Sequence, residues 1–370
     1  MTLRNILSTI GFIYGYEPSG HSSVAKAVCE FLPSEVVAFR FLNLSDIFSD
    51  TARVIVKGYL EIIQKAPGLW GYLYDSPLLS FLHRNLGITP PPSYTEKIER
   101  VIVKNGIDFL VSTHAFSSII ANRNSMRIKL KKHIGIITDI YAHSFWPNDL
   151  DRYFVPHYET YKSLALNGVA QHKIEISGMP LRKEFYINYN QSKIRKKLKL
   201  KNRYTFLISG GSKGLGDIIS VIEAIRSIKR KVNIIVLCGL NKHLMREIRS
   251  MRYIDDLKIM AVGYHLNTAM FYAASDCVIG KAGGVTLFET AAMSKPFIVW
   301  NAIPGQEERN RDFLKKHSYA LCPLNKSELR EAIWTFYSNH DLALRYSHSI
   351  SNLHKKDAPV RIVDYILSNV

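Results

Sequence analysis

Short apolar runs recur along this chain, and most end in a glycine-bearing or polar turn that leads into a stretch with helical spacing. The first series opens with Asn5 to Tyr14, the turn Gly15 to His21, and the Val24, Ala27, Val28, Phe31 face of Ser22 to Phe31. It continues through a helix from Ser93 to about Asn105, where Ser93 and Glu96 read as a capping box. Strands follow at Phe109 to Ser112 and Ile134 to Thr138, and Ile174 to Pro180 closes the series. A basic linker reaches about Asn202, and a second series then begins. Its strands are Tyr204 to Ser209, Val232 to Leu237, Lys258 to Val262, Cys277 to Ile279 and Phe297 to Trp300, with helices between them. Strands separated by helices pair in parallel. The expected fold is α/β, with two doubly wound domains at residues 1–185 and 203–345.

Open parallel sheets collect their chemistry where strands end and helices begin. The most informative such place lies between Val278 and Asn310. A strand runs into Lys281-Ala-Gly-Gly284, a helix follows from Val285 to Met293, and a second strand precedes the polar turn Pro304-Gly-Gln-Glu307. A glycine turn at a helix start leaves backbone N–H groups unpaired at the positive helix end, which suits a phosphate. Thr286 adds a hydroxyl, and Glu289, one turn further, has the reach to hold two vicinal ribose hydroxyls. The same two residues also fit a capping box, in which no ligand is needed. A second glycine turn, Gly210-Gly-Ser-Lys-Gly-Leu-Gly216, follows the first strand of the second series. It matches neither Gly-x-Gly-x-x-Gly nor a P-loop. Its position is nonetheless where a nucleotide diphosphate is expected, at Gly210, Gly211 and Ser212.

In the first series His21 stands at a helix start. The positive helix end would lower its pKa and keep it neutral as a base or phosphate donor; a plain loop donor is the competing reading. Asp139 follows the strand Ile134 to Thr138. Tyr141, His143, Phe145 and Trp146 beside it suit either a lipid contact or loop packing. Between Ala52 and Gly87, the aromatics Trp70, Tyr72 and Tyr74 crowd among Pro67, Gly68, Gly71 and Pro77. That mixture suits a membrane interface or lipid groove, while its periodicity fits a helical hairpin packed on a sheet.

The formal charge is +18 and the sequence pI near 9.6, so polyanions are the natural partners: nucleic acid, an anionic membrane, or phosphorylated substrates. The lysines are dispersed and no nucleic-acid module is visible, so nucleic acid is not expected. Four cysteines lie far apart, without metal-ligand or disulfide-scaffold spacing, which fits a reducing cytoplasmic setting. The apolar run after Arg4 reads as a first strand, since no small-residue cleavage pattern follows it. No stretch approaches the roughly 20 apolar residues of a membrane span, so membrane contact would be peripheral.

Lys281-Ala-Gly-Gly-Val-Thr286, Glu289 and Pro304-Gly-Gln-Glu-Glu-Arg-Asn310 resemble the donor-binding half of the MurG-like glycosyltransferases of family 28. These include monogalactosyldiacylglycerol synthase and the processive diacylglycerol glucosyltransferases. Ala66 to Asp75 is similar to a segment near the acceptor region of the diacylglycerol enzymes. Cys238-Gly-Leu-Asn241 resembles the family's Cys-Gly-Arg-Asn turn, with Leu240 in place of arginine. The family's Gly-Gly-Gly-His loop is here Pro18-Ser-Gly-His21, so the histidine is kept and the glycine backbone is not.

The resemblance implies the GT-B architecture, two Rossmann-like domains facing each other across a cleft, with the last helix, within residues 350–370, returning to the first domain. It implies an inverting transfer of a hexose from a UDP-sugar to a lipid hydroxyl. Diacylglycerol is the first acceptor, and a polyprenyl-linked or glycan acceptor of the MurG kind is the alternative. His21 or Asp139 would be the base. Gly210, Gly211, Ser212, Gly283, Gly284 and Thr286 would hold the diphosphate, and Glu289 the ribose. Gly263 and Tyr264 would lie near the uracil, Gln306 and Glu307 at the sugar, and Asn241, Lys281 and Asn310 elsewhere on the donor. Trp70, Tyr72, Tyr74, Phe145 and Trp146 would meet acceptor or membrane. The family is metal-independent, so no metal or other cofactor is expected, and Asp149-Leu-Asp151 is read as a turn into a strand through Val155. The basic surface would dock the enzyme on the cytoplasmic face of an anionic membrane.

Overall fold

The structure, a computed structural model, describes residues 8–33, 35, 37–48, 92–121, 130–251 and 257–370. The crowded stretch with Trp70, Tyr72 and Tyr74 lies outside the described residues. Two compact units emerge: Met1–Arg182 together with Lys355–Val370, and Lys183–His354. No helix among the described residues is long and apolar enough to cross a membrane.

The first unit holds β1 (Thr9–Tyr14), α1 (Gly20–Phe31), β2 (Ala38–Asn43), α2 (Leu44–Ile47), α3 (Pro92–Lys104), β3 (Ile107–Ser112), α4 (Ala115–Ile120), β4 (Lys132–Ile136), β5 (Arg152–Val155), α5 (Tyr158–Leu166) and β6 (Ile174–Ile176). Its strands are all parallel, in the order β2-β1-β3-β4-β5-β6. Helices cover such a sheet on both faces, which is why Ile10 to Tyr14 is a continuous buried run rather than an alternating one. The last helix of the chain (Ala358–Leu367) packs against α1 with Ile362, Val363 and Ile366 buried. Ser93 is not the cap of α3. The helix already includes Pro92, whose missing N–H costs nothing in a first turn.

The second unit holds α6 (Gln191–Lys197), β7 (Thr205–Ser209), α7 (Ile218–Ser227), β8 (Asn233–Gly239), α8 (Lys242–Ser250), β9 (Lys258–Gly263), α9 (Ala269–Ala274), β10 (Cys277–Gly280), α10 (Gly284–Ala292), β11 (Phe297–Val299), α11 (Gln306–Lys316), α12 (Lys326–Ser338) and α13 (His340–Ser351). Its parallel order is β11-β10-β7-β8-β9. Phe206, Ile208, Ile234 and Val236 from the central strands are buried in one core with Ile222 and Ile225 of α7 and Leu329, Ile333 and Phe336 of α12.

Each sheet reverses its direction of growth once. From β1 the chain goes out to β2, then returns to add β3 on the other side; from β7 it goes out to β8 and β9, then returns to add β10. At such a reversal the turns after the two adjacent strands diverge and leave a crevice at the strand ends. The turns after β1 and β3 therefore share one crevice, and the turns after β7 and β10 share another.

Candidate active site

In the first crevice, Ser19 caps α1 through a reciprocal pair of bonds with Ser22: its hydroxyl accepts the Ser22 N–H at 3.1 Å, and the Ser22 hydroxyl accepts the Ser19 N–H at 2.9 Å. This holds His21 in the first turn. Its Nδ1 lies 2.6 Å from the Thr113 carbonyl oxygen, just past β3. A carbonyl can only accept, so Nδ1 carries the proton and Nε2 keeps the lone pair. Thr138 Oγ1 lies 3.3 Å from the same Nδ1 and donates to Asp139 Oδ2 at 3.1 Å. His114 sets its ring edge-on to that of His21, with centroids 4.7 Å apart. The two candidate bases, His21 and Asp139, thus meet through Thr138.

Burial lowers the His21 pKa to about 4, against the opposing effect of the Thr113 bond. His114 is lowered to about 3, by burial first and then by the neighbouring His21 and His143. The ring is therefore neutral at physiological pH, with burial rather than the helix end as the main cause.

Trp146 belongs to the core and not to an aromatic lip. It is buried with Ile137, Leu150 and Tyr153, and a Cβ on Gly135 would come 2.9 Å from its ring. Phe145 remains partly exposed and stacks edge-on to His143 at 4.4 Å. Asp151 accepts the His133 N–H at 2.7 Å and so ties the turn before β5 to the neighbouring strand.

Beside the second crevice, the turns after β7 and β8 interlock. The Leu240 N–H donates to the Ser212 carbonyl at 2.9 Å. Asn241 donates to the Gly214 carbonyl at 3.2 Å, and its Oδ1 accepts the Leu244 N–H at 2.9 Å, which caps α8. Gly214 (φ 59°) and Gly239 (φ 54°) permit this closeness: a Cβ on Gly239 would come 2.4 Å from the Ser212 carbonyl oxygen. Asn241, expected on the donor, is a brace for the turn. Gly210 also departs from expectation, since its N–H donates to the Leu237 carbonyl at 3.3 Å and is not available to a phosphate. Substituting Asn241→Ala removes cap and brace together. We expect a loss of about 1–2 kcal/mol in denaturant unfolding with weakened nucleotide binding; unchanged stability would show that the brace contributes nothing.

Across this crevice α10 begins at Gly284, with Gly283 as its cap. Thr286 therefore sits inside the first turn and cannot form a capping box with Glu289. Instead Glu289 Oε2 accepts the Tyr272 hydroxyl at 2.9 Å. Burial, with the Glu289 charge, holds that phenol protonated, far above its ordinary range. Lys281 Nζ pairs with Glu307 Oε1 at 2.8 Å, with the two side chains 15% and 16% exposed. The other Glu307 oxygen accepts the Ile303 N–H at 3.0 Å. The Lys281 stem passes Gly216, where a Cβ would lie 3.7 Å from its Cγ. The lysine thus stands between the turns after β7 and β10.

Gln306 and Glu307 lie in the first turn of α11 rather than in a free turn. Asn310, expected on the donor, is 1% exposed and donates to the Ala282 carbonyl at 2.9 Å, buttressing the Lys281–Gly283 turn from beneath. Gly263 ends β9, and Tyr264 follows it 46% exposed. Sequence reasoning missed Thr113, Thr138 and Tyr272 as partners. Thr138 had one usable signal, a hydroxyl at a strand end beside Asp139; Tyr272 had none, being far in sequence from Glu289.

Comparison with known proteins fits both units. Residues 21–181 match the family described as monogalactosyldiacylglycerol (MGDG) synthase, and residues 205–345 match the glycosyltransferase family 28 C-terminal domain. A processive diacylglycerol beta-glucosyltransferase from Bacillus pumilus is 24% identical, over 94% of this chain and 92% of its own. MurG from Acinetobacter baumannii superposes with a TM-score of 0.62 at 13% identity, covering 97% of this chain and 99% of its own. Anabaena HepE in complex with UDP-glucose gives 0.56 at 13%, covering 97% and 98%. The last two show the fold, which is GT-B. With the MGDG synthase description matched on its first unit and the family 28 C-terminal domain on its second, the chain is a GT-B glycosyltransferase.

Proposed function

We propose that this protein transfers a hexose from a UDP-sugar to the hydroxyl of a diacylglycerol, with inversion, while docked on an anionic membrane. One observation carries the reading: around the turns after β7 and β10 stand the Gly283–Gly284 helix start, the Lys281 ammonium and a Glu289 carboxylate oriented by Tyr272. Phosphates suit the first two, and ribose hydroxyls suit the third. The name of the Bacillus pumilus relative supports the choice of acceptor and hexose.

In this reaction His21 Nε2 takes the proton of the acceptor hydroxyl as its oxygen bonds to the anomeric carbon. The bond from that carbon to the diphosphate oxygen breaks, and its electron pair leaves with UDP. The α10 N–H groups and Lys281 stabilise the developing charge. Because the chain itself supplies that positive charge, the proposal includes no metal or cofactor. Gln306 and Glu307 hold sugar hydroxyls, and Tyr264 lies against uracil. Basic side chains near an anionic bilayer contribute about 1 kcal/mol each, so docking should weaken with salt.

The test is UDP release from UDP-glucose, UDP-galactose and UDP-N-acetylglucosamine, with and without diacylglycerol in anionic liposomes. Release that requires diacylglycerol is expected, and Glu289→Ala should lower kcat/KM by roughly 10–100-fold, the worth of hydrogen bonds to a charged group. Glu289→Ala activity within a few-fold of wild type would overturn the donor assignment. Release dependent on a polyprenyl-linked acceptor alone would overturn the lipid.

A further inference from the structure

His21 and Asp139 were rival bases, but the structure links them in series. His21 Nδ1–H faces two oxygens, the Thr113 carbonyl at 2.6 Å and Thr138 Oγ1 at 3.3 Å. The Thr138 hydroxyl proton points to Asp139 Oδ2 at 3.1 Å, which turns an oxygen lone pair toward the imidazole. Thr138 and Asp139 are both buried, so this alignment is shielded from competing water. Thr160 holds the same loop by donating to the Asp139 and Ile140 carbonyls, at 3.1 and 2.8 Å.

Burial makes an imidazolium costly at His21. His114 meets it edge-on, and His114 in turn feels His143 electrostatically. On its own element, Lys26 is paired with Glu17. Asp139 is the acidic member of this group, and it reaches the ring through the threonine.

We propose that Thr138 is a positioning residue: donating to Asp139, it presents a polarised oxygen to His21 Nδ1–H and so stabilises the imidazolium formed when Nε2 takes the acceptor proton. No proton moves along the chain. The acceptor proton stays on Nε2, Nδ1 keeps its own, and the Asp139 carboxyl group orients the Thr138 hydroxyl without taking a proton from it. Asp139 is then a second positioning residue and not the base. The inference rests on the proposed role of His21, and its test separates the two.

Histidine-labelled protein, with His21 assigned by His21→Gln, is examined by 15N–1H NMR at neutral pH. Wild type should show the Nδ1–H tautomer with a downfield, slowly exchanging Hδ1. Thr138→Val, matched in shape, should shift that proton upfield and speed its exchange, and Asp139→Asn should move it the same way. In the transfer assay, Thr138→Val should lower kcat roughly tenfold, a modest part of general-base catalysis, with the UDP-sugar KM within twofold. Thr138→Ser should restore both readouts. An Hδ1 resonance unmoved in both variants would overturn the proposal, as would a kcat loss that serine does not rescue. The NMR result requires no sugar transfer, so it stands or falls even if UDP release fails with every acceptor. Asp139→Asn also asks the question without altering the Thr138 side chain, should Thr138→Val not fold.

Discussion

Replacing His21 with alanine should lower the turnover number by roughly 10²–10⁴, the range of general-base catalysis, while leaving UDP affinity as it was. The reason is geometric. The Ser19–Ser22 cap sets the residue in the first turn of α1, and the Thr113 carbonyl assigns the proton to Nδ1, so Nε2 is the free base. The groups proposed for UDP belong to the other unit. Calorimetric titration of UDP against both proteins, beside a transfer assay, checks the separation; near-normal turnover would put the base elsewhere.

The same ring gives a pH prediction. Held at about 4 by burial, His21 stays neutral between pH 6 and 8, so wild-type turnover should be flat there rather than half-lost near the ordinary histidine value of about 6.5. The sign for stability follows from linkage. Below about pH 6.5 the unfolded chain takes up protons that folded His21 and His114 refuse. Their stabilising effect is therefore present above that pH and lost as pH falls toward 4 and then 3. His21→Ala removes one of these groups, so its melting temperature should fall less between pH 7 and 5 than that of wild type. Equal falls would mean that the histidine titrates normally in the folded protein.

Gly239→Ala should be among the most damaging single methyls in the second unit. At φ 54° the left-handed backbone alone costs about 1–2 kcal/mol for an L side chain. The new Cβ would also sit 2.4 and 2.6 Å from the Ser212 and Gly211 carbonyl oxygens, so the two turns must separate. A total near 3 kcal/mol is consistent with strain at such a site, which for a domain of this size is a melting shift of roughly 6–12 °C. Nucleotide binding should weaken with it, because the Ser212–Leu240 bond holds the 210–216 turn. Gly211→Ala is the control. Gly211 has φ 65° but nothing within 4 Å of a Cβ, so only the backbone cost should appear. Scanning calorimetry of the two variants decides, and equal melting temperatures would show that the close approach does not matter.

The places of several candidate residues in the fold were legible from spacing because they are set locally. Lys281-Ala-Gly-Gly284 between a strand and a helix announces a strand-to-helix turn, and its helix begins at Gly284. Asp139 after an apolar run sits past β4 for the same reason. Asn241, Asn310, Gly210 and Trp146 depart from expectation in a common way: each stands at or beside a candidate turn, but a polar atom or ring faces inward. A turn that must stay open to a ligand needs bracing from beneath, and nothing in residue spacing distinguishes the brace from the contact.

Sequence alone determined the alternation of strands and helices and which residues stand at strand ends, because periodicity and glycine turns act over a few neighbouring residues. Only the tertiary structure decided which strand ends adjoin. Placing β3 beside β1 brought Thr113 and His114 to His21, and placing β10 beside β7 brought Lys281 to Gly216. Those pairings arise from contacts between segments distant in the chain, where burial and hydrogen bonding act on the assembled sheet rather than on any one stretch of sequence.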